Sequence, residues 1–210
     1  MIIKKFPSGV FHTNVYLLIC EETSKAAVVD PSLGGAESVN AYLTQHRLKL
    51  EKILLTHSHW DHIGDVANLK ATHNPSIYIH PFDIANLEIP GSDGLPLFEP
   101  IKGIKADHLL GDKQEIHLGD ILLHVIHTPG HTRGSVCFYI PKSCTLLSGD
   151  TLFKGSMGNI SFPTSEPELI WNSLDKLRNL PLETQVLPGH GESTSIKEET
   201  WLSDLEDINR

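Results

Sequence analysis

The stretch His57-Ser58-His59-Trp60-Asp61-His62 places three imidazoles and a carboxylate within six residues. Imidazole is the commonest metal-ligating side chain, and a carboxylate beside it suits zinc, iron or manganese. Three more residues of ligand type occur downstream. They are His131 in Thr128-Pro129-Gly130-His131-Thr132, Asp150 in Leu147-Ser148-Gly149-Asp150-Thr151, and His190 in Leu187-Pro188-Gly189-His190-Gly191. Each stands just past an apolar, strand-like run and directly after a glycine. A strand fixes direction, and glycine allows the tight turn that presents the next side chain beyond the sheet edge. An open catalytic zinc takes only three protein ligands plus water. Five histidines and two aspartates therefore fit two metals that share a carboxylate and a bridging water. With the metals ~3.5–4 Å apart, that is a two-metal hydrolytic site.

The flanking segments read as elements able to hold such a site. Val15 to Ile19, Ala26 to Val29, Glu51 to Leu55 and Ser76 to Ile79 read as strands in the first part of the chain. Ile121 to Ile126, Val136 to Ile140, Thr145 to Leu147 and Thr184 to Leu187 read as strands in the second. Helices are expected over Gly34 to His46 and Ile63 to His73, where apolar residues recur at helical spacing. Ser165 with Glu168, and Ser195 with Glu198, have the spacing of capping boxes. They predict a helix with Leu169, Ile170, Trp171, Leu174 and Leu177 on its apolar face and a closing helix over Ser195 to Leu205. The Gly-, Pro- and Asp-rich segment Pro90 to Gly111 is the candidate mobile loop over the site. The order of elements predicts a layered α/β protein with sheet inside and helices outside.

Composition narrows the function classes. The 210 residues suit one large domain, and 40% hydrophobic content is ordinary for a globular chain. A net charge of −9 argues against a nucleic-acid binder, which usually carries a basic face. Cys20, Cys137 and Cys144 are odd in number and widely spaced, so reduced thiols are expected. The N-terminus lacks the apolar core of a signal peptide, and no apolar run approaches the ~20 residues of a membrane helix. A cytoplasmic protein without membrane or nucleic-acid partners is expected. His12, His46, His73, His80, His108, His117, His124 and His127 read as surface or strand-edge side chains. His12 and Asn14 lie in a turn that could reach the site mouth. Trp60 reads as a pocket wall, and Trp171 and Trp201 as core.

The four ligand-bearing segments, with Gly149-Asp150-Thr151-Leu152-Phe153 as the third, resemble the metallo-β-lactamase superfamily, and within it the short glyoxalase II-like (hydroxyacylglutathione hydrolase-like) proteins. The resemblance spans nearly the whole chain and implies one domain over residues 1–210 with a four-layer αββα sandwich fold. It implies that His57, His59 and His131 hold a first metal, that Asp61, His62 and His190 hold a second, and that Asp150 bridges them. The metals implied are two divalent ions, zinc foremost, with iron or manganese as alternatives. The activity implied is hydrolysis of a small acyl substrate, a thioester such as S-hydroxyacylglutathione, by a metal-bound hydroxide. Asp61, His62 and Asp150 are then catalytic. The alternatives are a persulfide dioxygenase using one iron on His57, His131 and Asp150, or a lactonase of the same fold. Two departures concern glutathione. The chain ends about twenty residues past His190, so the C-terminal helical domain of glyoxalase II is expected to be missing. The family usually has Arg or Lys where Asn159 stands and Asp or Tyr where Ser161 stands, leaving Lys154 or Arg133 as candidate substitutes.

Overall fold

The computed structural model describes residues 1–205. Among these residues the strands form two six-stranded sheets. The first runs in chain order through β1 (Ile2–Ser8), β2 (Thr13–Cys20), β3 (Lys25–Val29), β4 (Lys49–Leu54), β5 (Ser76–Ile79) and β6 (His108–Leu109). The second holds β7 (Glu115–Leu118), β8 (Ile121–His127), β9 (Val136–Ile140), β10 (Thr145–Gly149), β11 (Gln185–Pro188) and β12 (Thr194–Ser195), again in chain order. Each sheet mixes antiparallel pairs with parallel ones, notably β3 with β4 and β10 with β11.

Side-chain alternation explains the layering. Along β2, Val15, Leu17 and Ile19 pack with Val39 and Leu43 of α1 (Gly35–His46) and with Val66 and Leu69 of a later helix. The intervening Tyr16, Leu18 and Cys20 face the other way, against Val125, Val136 and Phe138 of the second sheet. Along β9 the pattern repeats: Val136, Phe138 and Ile140 point between the sheets, while Cys137 and Tyr139 meet Ile170, Leu174 and Leu177 of the last long helix. Strands covered on both faces read as continuous apolar runs, which is why β2, β9 and β10 are buried throughout. The layers are helix, sheet, sheet, helix. Phe138 lies fully buried at the centre of the sandwich. Phe138→Ala is expected to cost about 3–5 kcal/mol of stability through lost burial and a cavity, read from urea unfolding.

Several local expectations are corrected. The helix expected over Ile63 to His73 is broken into α2 (Trp60–Ile63) and α3 (Val66–His73). Gly64 lies against the backbone of Leu33, and the Asp65 carboxylate accepts the Ala36 N–H at 2.8 Å, so tertiary contacts outweigh helical continuity there. Pro81–Asp83 forms a 3-10 turn leading into α4 (Ile84–Glu88), which the sequence did not signal, and β7 was likewise unmarked. The helix after Ser165 is α5 (Pro167–Arg178), but the capping box does not form. The Ser165 hydroxyl donates instead to the His131 carbonyl at 2.8 Å. Leu169 is 38% exposed, off the apolar face. The closing segment is a 3-10 helix, Thr200–Asp204, rather than an α-helix from Ser195. Ser195 and Glu198 do pair there, with the serine hydroxyl accepting the Glu198 N–H at 3.3 Å. Trp171 and Trp201 are only half-buried, packed at the margin of the outer core. Cys20 and Cys137 are buried free thiols and Cys144 is half-buried. Among the described residues no helix is long and apolar enough to cross a membrane.

Candidate metal centre

The C-terminal ends of β3, β4, β8, β10 and β11 converge at one edge of the sandwich. β4 leads into His57 and His59, β8 into His131, β10 directly into Asp150, and β11 into His190. α2, which begins directly after His59, carries Asp61 and His62. Gly149 supplies the sharp turn before Asp150 with φ +49°, and a Cβ there would run into the Thr56 side chain. The structure thus brings all seven ligand-type residues together. His57, His59 and His131 form one group whose ligand atoms lie within 4.8 Å of one another, and Asp61, His62 and His190 form a second. Asp150 stands between them. Its Oδ1 is 3.4 Å from His62 Nε2, and its Oδ2 is 3.5 Å from both His131 Nε2 and His190 Nε2. Asp61 Oδ2 lies 3.2 Å from His190 Nε2 and 3.4 Å from His62 Nε2.

The ring orientations are set from behind. His62 Nδ1 meets Asp30 Oδ2 at 3.0 Å, His131 Nδ1 meets the Asn159 carbonyl at 2.8 Å, and His190 Nδ1 meets the Phe11 carbonyl at 3.1 Å. Thr56 donates its hydroxyl to Asp30, so it accepts from His57 Nδ1 at 3.0 Å. Fixing Nδ1–H in this way leaves Nε2 as the lone-pair atom facing the centre, the usual outer-shell device of metal-binding histidines. The inward atoms fit a cation. His57 Nε2, His59 Nε2, His131 Nε2 and Asp150 Oδ1 are buried and make no hydrogen bond. Four orphaned buried acceptors at one point are costly unless something binds them.

Electrostatics divides the two groups. Burial and neighbouring imidazoles push His57 and His59 well below the ordinary histidine range, and burial lowers His131 too, so all three are neutral at pH 7. Burial would also lower His62, but the carboxylates of Asp61, Asp150 and Asp30 override it and raise His62 to about 10. Burial opposes ionisation of Asp61, yet His62, His190 and the Thr13 hydroxyl hold it below the usual carboxylate range. A cation entering the second group therefore competes with a proton on His62.

Some contributors were missed in the sequence. Asp30 accepts from the Thr56 N–H at 2.8 Å, the Thr56 hydroxyl at 2.6 Å and His62. These bonds occupy it as a positioning group, although it also lies within reach of His57 and His62. Its signature was present, a carboxylate directly past the apolar run of β3. Thr13 donates to Asp61 Oδ2 at 2.8 Å, and nothing in its surroundings marked it. Asp83 accepts from Ser58 N–H, Gly134 N–H and the Thr132 hydroxyl, tying the His57–His59 loop to the His131 loop. Burial pushes the Asp83 carboxyl up to about 6. The turn before β2 does reach the site, but through Phe11, which lines the cleft, rather than His12. The candidate cations for glutathione are engaged elsewhere: Lys154 Nζ lies 2.6 Å from Glu192, and Arg133 Nε lies 3.6 Å from Glu166. Asn159 folds onto its own loop, its Oδ1 accepting the Ser161 N–H at 2.8 Å. The segment Pro90 to Gly111 lies beside the site and places Leu95 in the cleft. It is pinned through Asn86, which donates to Asp93 and accepts from the Gly91 N–H.

Space at the centre is tight. A Cβ on Gly189 would collide with Asp150 Oδ1 and approach His62. Gly189→Ala is expected to displace that carboxylate at an overpacking cost of about 1–3 kcal/mol, weakening metal binding roughly tenfold or more. Titration with a chromophoric chelator measures it.

Comparison with known proteins fits this geometry. The hydroxyacylglutathione hydrolase of Vibrio cholerae is 36% identical over 188 residues, covering 90% of this chain and 65% of that protein. Among solved structures, the BLEG-1 B3 metallo-β-lactamase superposes with a TM-score of 0.87 at 36% identity, covering 94% of this chain and 96% of that one. TTHA1623, solved in a di-iron-bound form, superposes with a TM-score of 0.81 at 34% identity, covering 93% and 96%. The family model of the metallo-β-lactamase superfamily matches residues 8–190, every strand-end ligand included, and the chain belongs to that superfamily.

Proposed function

We propose that the chain is a metal-dependent hydrolase of thioesters that holds two divalent cations, zinc foremost and iron or manganese as alternatives. The observation that carries this reading is the position of Asp150, with one carboxylate oxygen toward His62 and the other toward both His131 and His190. His57, His59 and His131 would hold one cation and Asp61, His62 and His190 the other. Bound there, such cations would supply an acidified water, its pKa brought from 15.7 to roughly 7, and Lewis-acid polarisation of a carbonyl oxygen. The chain's own groups supply the alignment. Asp61, anchored by Thr13, orients the attacking water, and Asp30 locks His62 against rotation. A thiolate leaves readily because a thiol pKa is only ~8.5.

Likeness to a hydroxyacylglutathione hydrolase supports a thioester. Likeness to a B3 metallo-β-lactamase makes a β-lactam amide the competing substrate, and the di-iron form of TTHA1623 supports testing iron beside zinc. The test is turnover of S-D-lactoylglutathione, a simple acyl thioester and a chromogenic cephalosporin by protein loaded with zinc or iron. Metal content is measured on the same samples. Metal-dependent thioester cleavage is expected. Faster β-lactam cleavage, or oxygen uptake with a persulfide by a one-iron sample, would overturn the reading.

Chelation gives an independent check. A ligand present at a thousand times its Kd stabilises the folded state by about 4 kcal/mol. Chelator is expected to lower the thermal midpoint by several degrees, and re-addition of zinc to restore it.

A further inference from the structure

Resting on the hydrolase reading, we propose that the substrate is a thioester with an apolar acyl group, arylacetyl or medium-chain, on a small uncharged thiol. The cleft over the centre has a volume of about 370 Å³, at the small end of the ~300–1,000 Å³ range of ligand pockets. Beyond the ligands themselves, its walls are Phe11, Trp60, Leu95, Phe153, Phe162 and Asn159. Phe98 adjoins the wall residues Phe11 and Trp60 at the cleft's margin and extends them into one aromatic surface, with ring centroids 5.2 Å apart for Phe11–Trp60, 5.4 Å for Trp60–Phe98 and 6.0 Å for Phe11–Phe98. On the opposite sides Phe162 sits 5.3 Å from the His59 ring and 5.7 Å from that of His131, and Phe153 lies 6.1 Å from His190. Phe11 and Phe98 remain 51% and 64% exposed. Clustered exposed aromatic surface beside a reaction centre marks a place where a ligand's apolar surface is covered.

Charge points the same way. No lysine or arginine lines this cleft. The free carboxylates of a glutathionyl group call for charge-assisted donors. A second cleft reaches His59 from the other side and contains Asp83, Asp93 and Glu166. Its one cation, Arg133, is paired with Glu166 and laid over the Phe82 ring at 4.4 Å. Neither cleft presents an unengaged cation to an anionic thiol. In the reaction, water oxygen bonds to the acyl carbon and the carbon–sulfur bond breaks. The sulfur keeps the electron pair and takes up a proton from the water, giving a carboxylic acid and a thiol.

The test compares kcat/KM of the metal-loaded protein on phenylacetyl, octanoyl and acetyl thioesters of N-acetylcysteamine and on S-D-lactoylglutathione. The phenylacetyl or octanoyl thioester is expected to exceed both the acetyl thioester and lactoylglutathione by about tenfold or more. Phe98→Ala is expected to lower the phenylacetyl-to-acetyl ratio about threefold or more, with metal content of the variant measured alongside. Turnover with no acyl preference, or a preference for lactoylglutathione, overturns this inference and leaves the hydrolase reading standing. Failure to cleave any thioester with both metals bound overturns both.

Discussion

Asp150→Ala is expected to lower turnover by about 10³-fold or more and to reduce bound metal at both groups. Lewis-acid stabilisation is worth several kcal/mol, and each ~1.4 kcal/mol is a factor of ten in rate. Asp150 lies against both groups, with Oδ1 toward His62 of the second and Oδ2 toward His131 of the first and His190 of the second. Its loss also removes the carboxylate beside His131 Nε2 and one of the three carboxylates around His62. Asp61→Ala supplies the contrast. Asp61 belongs only to the second group, so that variant is expected to keep close to one metal per chain and still lose most activity. Metal analysis with kcat on the same preparation separates the two. An Asp150→Ala protein with two tightly held metals would overturn the bridging role.

Asp30→Ala should be the most damaging change among residues that do not line the cleft. Asp30 is 2% exposed and accepts three hydrogen bonds, two of them from Thr56. Removing it strands the Thr56 N–H and hydroxyl in the interior at about 1–3 kcal/mol per unsatisfied group. It also frees His57 and His62 from their fixed tautomers. Loss of an outer-shell partner typically weakens metal binding about 10–100-fold. Asp30 has φ +49°, which asparagine tolerates well, so Asp30→Asn keeps the turn and isolates the hydrogen bonding. Its amide places a donor against donors, so metal affinity is expected to fall while the thermal midpoint changes less than in Asp30→Ala. Unchanged metal affinity in both variants would show that Asp30 serves the turn alone.

The clustering of ligand-type residues was legible because their chemistry repeats in one context. His57, His131, Asp150 and His190 each follow a buried strand, and such strands are visible as apolar runs. Asp30 shares the strand-end signature, but its role as a partner of His62 depends on a contact that only the fold creates. The errors have a common physical origin. Ser165 had the spacing of a helix cap, yet the nearby His131 carbonyl took its hydroxyl, and the helix began at Pro167 instead. Gly64 and Asp65 sat inside a helical pattern, but their partners Leu33 and Ala36 are thirty residues away, beyond any local window. Trp60 was legible as a pocket wall, but its aromatic partners were not, since Phe11 and the adjoining Phe98 meet it only through the fold.

The division of the strands between the sheets has a kinetic consequence. β1 to β6 and β7 to β12 are consecutive blocks, and the two groups proposed to hold cations, His57–His59–His131 and Asp61–His62–His190, each draw two residues from the first block and one from the second. Neither block holds the His57–His59–His131 group or the Asp61–His62–His190 group complete on its own. Under the two-cation proposal, capture at these groups would wait for the two blocks to associate, and each ion would then crosslink them. Interactions absent from the folding transition state slow unfolding and leave the folding rate nearly unchanged. Metal should thus lengthen the lifetime of the assembled protein far more than it hastens assembly. Two separately produced fragments, cut between Leu109 and Glu115, should bind metal tightly only after they are mixed.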